Sequence, residues 1–359
     1  MIQVSRSLPA LLVLLLVIPG SVYGASQRTF VKSTGVDTLP GPVPNTCSVA
    51  SPCRSFTAAM LQTLPGGEVI VLDSAGYGAV TISQSVSIIA PPGVYAGVTV
   101  PPGGVGINMF TAGVTVVLQG LTISGTGSGG FAGYVGVWFQ DGAELHVINC
   151  SISNFNQAGI YVTAPGSRVF VTDTTLRVAG GVVLSGSVTA VLDRVRGNDS
   201  GIVAANGGSL SVRDSVSSVW GSAMSGTLTR VTVDGTLSAD SFAQGFSAGA
   251  SDAGSRATFD VIRSTSTHNA GPGAVVDALP SAAAVMTVTS SVLSANNFAG
   301  LYNYASGGAS TAFASRNSIS GNTAAGIVQQ ATGIVHTRND NAGEQTSPTM
   351  GTVTSVAGF

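Results

Sequence analysis

A group of charged residues between positions 173 and 214 has the residue types and spacing that could support chemistry. Three are aspartates separated by 20 and 21 residues, and three are arginines close to them: Asp173, Asp193, Asp214, Arg177, Arg194 and Arg196. If the chain returns to the same place after each interval, equivalent residues stack about 4.8 Å apart, the distance between neighbouring strands. The aspartates would then lie within reach of one shared ligand.

Two interpretations of this group stay open. In the first, the aspartates bind Ca²⁺ through carboxylate oxygens, while the arginines bind the carboxylates of a uronate and supply the proton-abstracting base. In the second, the aspartates end strands at corners, where Asp bonds to nearby backbone, and pair with neighbouring arginines. We favour the second, and expect no cofactor under it. Stacked outward arginines remain the best place to look for an anionic sugar.

A repeated segment supplies the elements that would position these residues. When the cores AGIY, AGLY and AGIV are aligned, Ile152, Leu293 and Ile319 fall in one slot. Each copy alternates apolar and polar residues, breaks phase and alternates again. Alternation with a period of two indicates a strand with one buried face, and a phase break indicates a corner. Each copy is therefore predicted to form two or three short strands around a common core.

The spacing of the inward-pointing anchor residues predicts a parallel β-solenoid. Four successive anchors are separated by 24, 19 and 21 residues: Ile152, Leu176, Val195 and Val216. Intervals of this size are typical of one solenoid coil. Parallel crossovers are nearly always right-handed, so we expect an all-β, right-handed parallel β-helix. Arg177 and Arg196 each follow an anchor and should point outward on adjacent coils.

Asparagines mark the predicted corners of the coils. Asn154, Asn198, Asn296 and Asn322 follow their anchors by two or three residues. Glycine, and at lower cost asparagine, adopts the left-handed conformation that a sharp corner requires. We expect these residues to be structural, with asparagine side chains stacked and hydrogen-bonded from coil to coil.

The two ends of the chain differ in composition from the coils. Residues 1–24 carry one positive charge and a short apolar core, typical of a cleaved secretory signal, so we expect a secreted or periplasmic protein. Residues 337–359 form a polar tail whose last alternating piece either pairs with the final coil or frays. The solenoid coils are predicted between them, over residues 68–336.

An N-terminal cap is predicted over residues 25–67. Its helix, at residues 55–64, has Ser55 as a suitable N-cap and a Pro-Gly-Gly sequence at its end. A helix laid over the open end of a solenoid covers exposed core and unpaired strand edge.

The three cysteines are predicted to be structural. Cys47 and Cys53 enclose a Ser/Pro loop, and export to an oxidising compartment favours a local disulfide. Cys150 shares the phase of Ile152, so it should point into the coil as an unreactive buried thiol.

Composition argues against several classes of function. Charged residues make up 8% of the chain, the net charge is −2 and no basic cluster appears, which excludes a nucleic-acid binder. No transmembrane segment is predicted after residue 24, and we expect a monomer. His146, His268 and His336 are separated by 122 and 68 residues, so no zinc site is expected.

Four aromatic residues are candidates for stacking on sugars. They are Tyr134, Trp138, Tyr302 and Tyr304. Trp138 lies in the strand-like segment VGVWFQ, where a place in the core is at least as good an interpretation as a place on a binding surface.

The first coils resemble a known family. A capping helix, a GEVIVL strand, a Gly-Tyr-Gly turn, and VTIS and SVSIIA strands, followed by later SISN and SISGN repeats, are similar to bacterial secreted right-handed parallel β-helix proteins of the pectin-lyase-like superfamily. The resemblance extends from about residue 28 to the C-terminus. It implies the fold but no single activity, because the superfamily includes lyases, hydrolases, epimerases, adhesins and members without assigned chemistry. The Asn-Thr-Asp, Asp-Asp, Gly-His-Gly and Asp-x-His-Asp motifs of its enzymes are missing from this sequence.

We therefore expect a secreted β-helix protein that acts without catalysis, as a surface or carbohydrate-associated binding protein. The alternative is a lyase-like enzyme acting on an anionic, uronate-containing polysaccharide. That enzyme would need the Asp173 to Asp214 group to converge in a groove between two predicted loop insertions, at residues 125–136 and 240–254.

Overall fold

The computed structural model describes residues 25–38, 45–127, 132–197, 201–338, 340–343 and 353–355. Over these residues the chain forms an all-β, right-handed parallel solenoid of about ten turns with one short helix. The predicted fold class is confirmed. The predicted signal sequence at 1–24 and the corner residue Asn198 lie outside the described residues.

Three parallel sheets run the length of the solenoid. Sheet 1 consists of β1 (Ser26–Val31), β2 (Thr63–Val71), β5 (Val86–Ile89), β8 (Thr115–Gln119), β11 (Glu144–Ile148), β14 (Arg168–Thr172), β17 (Thr189–Asp193), β20 (Ser209–Arg213), β22 (Leu228–Asp234), β25 (Arg256–Ile262), β28 (Ala283–Thr289), β31 (Ala309–Ser315), β34 (Ile334–Thr337) and β35 (Thr354–Ser355). Sheet 2 has a six-stranded part, β3 (Ala75–Gly76), β6 (Ala96–Val100), β9 (Leu121–Gly125), β12 (Ser151–Ser153), β15 (Thr175–Arg177) and β18 (Arg196–Gly197), and a four-stranded part, β23 (Leu237–Ala239), β26 (Thr265–Thr267), β29 (Val292–Ser294) and β32 (Ser318–Ser320). Sheet 3 consists of β4 (Val80–Ile82), β7 (Val105–Phe110), β10 (Gly133–Asp141), β13 (Phe155–Val162), β16 (Val182–Ser185), β19 (Ile202–Ala205), β21 (Val219–Ala223), β24 (Phe246–Ala250), β27 (Ala274–Ala278), β30 (Ala299–Ala305) and β33 (Ala325–Ala331).

Each coil passes from sheet 1 through a tight corner to sheet 2, then to sheet 3 and back. Inward residues of equivalent strands stack, as Ile123, Ile152 and Leu176 do on sheet 2 and Leu293 and Ile319 do further along. These side chains are almost completely buried. Burial of each such aliphatic side chain contributes about 1.5–3 kcal/mol, so the stacked columns provide the main stabilisation of the fold.

Two of the predicted anchors are wrong. The residue level with Leu176 on the next coil is Gly197, not Val195, because Thr175 pairs with Arg196. Val195 is buried one step earlier, inside the corner, whereas Val216 is only partly buried and bridges Arg196 to Leu237 on the outer side. Because glycine has no apolar side chain, the alternation pattern could not indicate Gly197 as the inward residue, and the nearby Val195 was predicted instead.

The corner between sheets 1 and 2 is built on residues in the left-handed conformation. Asn149, Asp173, Arg194 and Asp214 have φ between 47° and 52°. After Asp173 and Asp214 the next residue is a buried Thr174 or Ser215, whose hydroxyl oxygen accepts a hydrogen bond from the backbone of the preceding coil, as in Val195 N to Ser215 Oγ at 3.0 Å. The corner therefore satisfies its backbone donors through side chains of the next coil.

The corner between sheets 2 and 3 contains an asparagine ladder. Asn269 donates from Nδ2 to Oδ1 of Asn296 at 2.8 Å, and Asn296 donates from Nδ2 to Oδ1 of Asn322 at 3.0 Å. The predicted coil-to-coil bonding of Asn296 and Asn322 is confirmed. Their predicted left-handed conformation is wrong, because the preceding residues Ala295 and Gly321 adopt it instead, with φ of 52° and 64°.

The repeat marks the start of strands in sheet 3. In its AG pair the alanine is fully buried, and the glycine lies where the backbones of successive coils approach closely. A Cβ at Gly300 would lie 2.7 Å from the carbonyl oxygen of Gly326, which is too close for any other residue. The AG pair therefore fixes the register of the second residue after its glycine, and this residue points outward. In the three copies of the repeat it is Tyr161, Tyr302 and Val328.

The N-terminal cap holds the predicted helix and disulfide. Helix α1 spans Phe56–Gln62, and Ser55 Oγ accepts from Ala58 N at 3.2 Å, as expected of its N-cap. The helix ends two residues earlier than predicted, because Thr63 already begins β2. Cys47 and Cys53 form the predicted disulfide.

One segment predicted as a loop contains a regular strand, since residues 240–254 include β24. This strand, FSAGA, is rich in glycine, alanine and serine, which give a weak strand signal. In the described part of the tail, β35 pairs with β34. Across the described residues no helix has the length and apolar character needed to cross a membrane.

Candidate functional site

The charged residues at the corner between sheets 1 and 2 are paired with each other. Arg194 donates from Nε to Oδ1 of Asp173 at 2.6 Å and from Nη2 to Oδ2 at 2.9 Å, and it also donates to Asp193. The hydrogen bond from Arg194 lowers the pKa of Asp173 below its ordinary value. Further along, Arg263 makes a similar pair with Asp234. Within these two groups the charges therefore neutralise each other.

The predicted row of three aspartates is wrong by one residue. Asp193 pairs with Thr172 and Arg213 at the end of a sheet 1 strand, one position before the corner. The residue that stacks between Asp173 and Asp214 is Arg194. The coil that begins at Asp173 is 21 residues long, so the residue that stacks on Asp173 is 21 positions later, at Arg194. Asp193, 20 positions later, lies one residue before that slot.

Arg177 and Arg196 are exposed on the outer face of sheet 2, as expected, but they are not level. Arg177 pairs with Ser153, whereas Arg196 pairs with Thr175. Within the described part of the chain, neither side chain makes a hydrogen bond or an ion pair. Of the three candidate arginines, Arg177 and Arg196 are therefore the two without an acidic partner among the described residues.

The aspartates do not fit the calcium site of the lyase interpretation. Ca²⁺ takes about six to eight oxygen ligands, so the carboxylates would have to converge on one point. Instead, the Arg194 guanidinium is bound to both Asp173 and Asp193. No three His, Cys, Asp or Glu side chains come together as metal ligands among the residues described. The segment 240–254, proposed as one wall of a groove, contributes a strand to sheet 3.

A second surface, the outer face of sheet 3, brings the predicted aromatic residues together. One slot of this sheet can be followed through consecutive pairings on ten strands, and we call it the sheet 3 row. Its members are Asn108, Trp138, Tyr161, Val183, Val203, Trp220, Ser247, Val275, Tyr302 and Val328. All point away from the core and, except for Val328, are partly exposed.

The first aromatic cluster consists of Tyr134, Trp138 and Tyr161. The ring centroids of Trp138 and Tyr161 are 5.9 Å apart at 26°, and Tyr134 contacts Trp138 edge-on at 5.9 Å. Beside it, Gln140 Nε2 donates to Asn108 Oδ1 at 2.7 Å. The alternative that Trp138 belongs to the core is wrong, because its neighbours Val137 and Phe139 are the buried ones.

The second aromatic cluster consists of Phe298, Tyr302 and Tyr304. Tyr302 lies 5.2 Å from Phe298 in an edge-on contact and 6.2 Å from Tyr304 at 23°. Its hydroxyl is 2.6 Å from Gln330 Oε1 and donates to it. Asp277 pairs with Tyr304 in the ladder, and one of its carboxylate oxygens is buried without a hydrogen-bond partner among the described residues. This burial raises the pKa of Asp277.

Four members of this face were not predicted from the sequence: Tyr161, Trp220, Phe298 and Asp277. A signal for one of them, Tyr161, was present. Tyr161 and Tyr302 follow the same AG pair in the repeat, so they had to share a slot. Trp220 lies in the segment SSVWGSA, which lacks this signal, and Phe298 precedes its strand.

The histidines and Cys150 lie elsewhere. His146 is partly exposed on sheet 1, stacks on Phe170 at 4.8 Å and bonds to Glu144, whose pKa this hydrogen bond lowers. Cys150 is buried as predicted, and burial raises the pKa of its thiol to about 11. At neutral pH it is therefore a protonated, unreactive thiol.

Comparisons with known proteins agree with this architecture. Residues 69–217 match the family model described as right handed beta helix region. None of the curated proteins matches the sequence. A lacto-N-biosidase from Eubacterium ramulus aligns over 92% of this chain and 67% of its own, with 11% identity and a TM-score of 0.52. A pectate lyase aligns over 94% of this chain and 80% of its own, with 14% identity and a TM-score of 0.43.

A rhamnogalacturonan lyase aligns over 92% of this chain and 86% of its own, with 10% identity and a TM-score of 0.43. The likeness to the lacto-N-biosidase, at 11% identity, concerns the fold alone. The match over residues 69–217 and the parallel pairing of all three sheets show that the chain adopts the right-handed parallel β-helix fold.

Proposed function

We propose that this protein binds a carbohydrate chain on the outer face of sheet 3 and does not cleave it. The observation that carries the proposal is the row of tryptophan and tyrosine side chains at one slot of a parallel sheet. Such rings combine a rigid apolar surface with a polar edge, and sugars present C–H faces that stack on this kind of surface. The amides of Gln140 and Gln330 and the tyrosine hydroxyls beside the rings can bond to sugar hydroxyls.

The distribution of acids supports binding without cleavage. Glycosidases use two carboxyl groups about 5–9.5 Å apart across the scissile bond. The strands of sheet 3 carry two carboxyl groups in their described residues, Asp141 and Asp277. They lie six strands apart, a distance of about 29 Å at about 4.8 Å per strand. A single sugar linkage cannot contact both.

The lyase alternative has less support. It needs Arg177, Arg194 and Arg196 to act on one uronate, but Arg194 is bound by two aspartates and the other two arginines are out of register. Arg177 and Arg196 could still attract an anionic chain as isolated charges. Attraction of this kind is weak and screened by salt.

Export from the cytoplasm is part of the proposal. The disulfide between Cys47 and Cys53 supports it, because such bonds persist mainly in oxidising compartments. A carbohydrate-binding protein placed there would meet cell-surface or extracellular polysaccharides.

The test is to measure binding of the full chain to a panel of soluble neutral and uronic polysaccharides by affinity electrophoresis. The Trp138→Ala/Tyr302→Ala double variant should bind at least about tenfold more weakly, since loss of about 1.4 kcal/mol of contact energy is tenfold in affinity. Phe170→Ala, which removes a partly exposed ring from sheet 1, is the matched control and should bind normally. Equal binding by the double variant, or no binding by the wild type, would contradict the proposal. Newly formed reducing ends or unsaturated products would contradict its non-catalytic part.

A further inference from the structure

Sheet 3 differs from the other two sheets in the sign of its charges. Its described strands contain no lysine, arginine, histidine or glutamate, and their acids are Asp141 and Asp277. Sheet 1, in contrast, carries many charged residues, including Arg168, Asp193 and Arg213. The solenoid therefore presents both aromatic clusters on a sheet whose described strands carry no cation and two acids.

A face without cations is better suited to an uncharged ligand than to an anionic one. A uronate chain bound over the sheet 3 row would lose hydration around each carboxylate and would meet no cation there. Asp141 accepts a hydrogen bond from Gly142 N, and the buried oxygen of Asp277 would repel a further anion. The hydroxyls of a neutral sugar carry no such cost and can bond to the amides at either end of the row.

The geometry of the row also defines a direction. Trp138, Trp220 and Tyr302 share one slot, so the line that joins them crosses the strands and runs along the solenoid axis. Four strand steps separate Trp138 from Trp220 and three separate Trp220 from Tyr302, which gives spacings of about 19 Å and about 14 Å. A ligand that lay along one strand would contact only one cluster.

Between the two aromatic clusters the row carries one large side chain, Trp220. The other row positions there are Val183, Val203, Ser247 and Val275, and the adjacent outward positions on β16, β19 and β24 are the small residues Ser185, Ala205 and Gly249. The outward side chains of these three strands are therefore short and leave room for an extended chain. One coil advances by about the length of one sugar residue in such a chain, so successive sugars can meet equivalent positions.

We infer that the ligand is an uncharged polysaccharide that lies parallel to the solenoid axis and is held at both aromatic clusters, with Trp220 between them. This inference rests on the proposed function, because it names the class and orientation of the carbohydrate bound at the same face. Two linked contacts on one chain make the second contact intramolecular, so long chains bind more tightly than short ones.

The experiment compares a long soluble neutral glucan or mannan, a short neutral oligosaccharide and polygalacturonate, by calorimetry at low and high salt. The wild-type chain should bind the long neutral polymer at least about tenfold more tightly than the short one, with no dependence on salt. Trp138→Ala and Tyr302→Ala should each remove at least about tenfold of the long-polymer affinity. For the short oligosaccharide, each variant should halve the number of sites and leave the remaining site unchanged. Trp138→Phe, which keeps a ring, should restore most of the binding.

Several outcomes would overturn the inference and leave carbohydrate binding itself intact. Salt-sensitive binding of polygalacturonate that is lost in the aromatic variants would show an anionic ligand on this face. Unchanged polymer affinity in either single variant would show that the chain does not bridge the clusters. Loss of all polysaccharide binding in the wild type, or its dimerisation through this face, would contradict the proposed function as well. Circular dichroism of each variant confirms that the comparison is between folded proteins.

Discussion

Trp138 and Tyr302 occupy the same outward slot of sheet 3 although seven strand steps separate them. This relationship arises because parallel pairing keeps every coil in register, so residues far apart in sequence fall on one line. The aromatic row is a direct product of the solenoid and needs no folded loop to assemble it. Its integrity depends on the corners that hold the register.

The asparagine ladder should be a major source of that register. Asn296 is fully buried and bonds to Asn269, Ser266 and Asn322. Asn296→Ala leaves several of these groups unsatisfied, and the free energy of unfolding should fall by about 2–3 kcal/mol. Denaturant titration measures it.

The matched control for the ladder is the neighbouring residue. Asn297 is exposed, so Asn297→Ala should change the free energy of unfolding by less than about 0.5 kcal/mol. Equal effects of the two substitutions would show that the ladder does not stabilise the corner.

The charged corner should contribute to stability in a pH-dependent way and not to binding. The hydrogen bond from Arg194 lowers the pKa of Asp173, so the pair stabilises the protein above the ordinary carboxyl pKa, and the effect is lost as the pH falls through the lowered value. The thermal unfolding midpoint of Arg194→Gln should be lower than that of the wild type near neutral pH, and the difference should disappear in acid. Arg196→Gln serves as the control, since Arg196 makes no ion pair among the described residues. Loss of polysaccharide binding in Arg194→Gln would instead favour a site at this corner.

Asp277 should show the opposite dependence on pH. Burial raises its pKa, so the folded state keeps the proton to higher pH than the unfolded state. Stability should therefore decrease as the pH rises from the ordinary value through the raised one. Asp277→Asn removes this decrease, and the variant should gain stability over the wild type as the pH approaches neutral. The exposed Asp260→Asn on sheet 1 should not reproduce the gain, and a constant difference at all pH values would contradict the assignment to Asp277.

The disulfide should stabilise the cap. Cys47 and Cys53 are six residues apart, and closing such a short loop contributes roughly 2 kcal/mol. Guanidinium unfolding of the wild type should shift to lower denaturant when reductant is added. The Cys47→Ser/Cys53→Ser variant should already show the shift and should not respond to reductant. An identical transition with and without reductant in the wild type would contradict a stabilising role.

The sequence allowed the fold to be predicted because its signals are local and repeated. Alternation of the kind around Ile152 recurs along the coils, and the AG pair before Tyr161 recurs before Tyr302 and Val328. Parallel pairing converts these local signals into stacked columns. Register was harder, since Gly197 and Ser217 occupy inward slots without an apolar side chain and moved the expected anchors to Val195 and Val216. As a result, Arg196 was expected to lie level with Arg177, whereas it pairs with Thr175.

The functional face was harder to predict for a different reason. Outward positions are not constrained by burial, so the sequence of a single strand does not show which of them will lie side by side. Trp138 and Trp220 are separated by four coils, and only the pairing of the strands between them shows that they share a slot. The charged corner was easier to find because its residues are close in sequence, although their partners were off by one position.

The most direct test uses the two tryptophans of the chain, Trp138 and Trp220, which both belong to the sheet 3 row. Their intrinsic fluorescence therefore reports occupancy of this face without any label. Titration with a long neutral polysaccharide should give a saturable change in emission and should protect both residues from acrylamide quenching. In Trp138→Phe and in Trp220→Phe, each of which keeps one tryptophan, the change should reach its midpoint at the same polysaccharide concentration. Polysaccharide binding detected by calorimetry with unchanged emission and unchanged quenching would contradict the account.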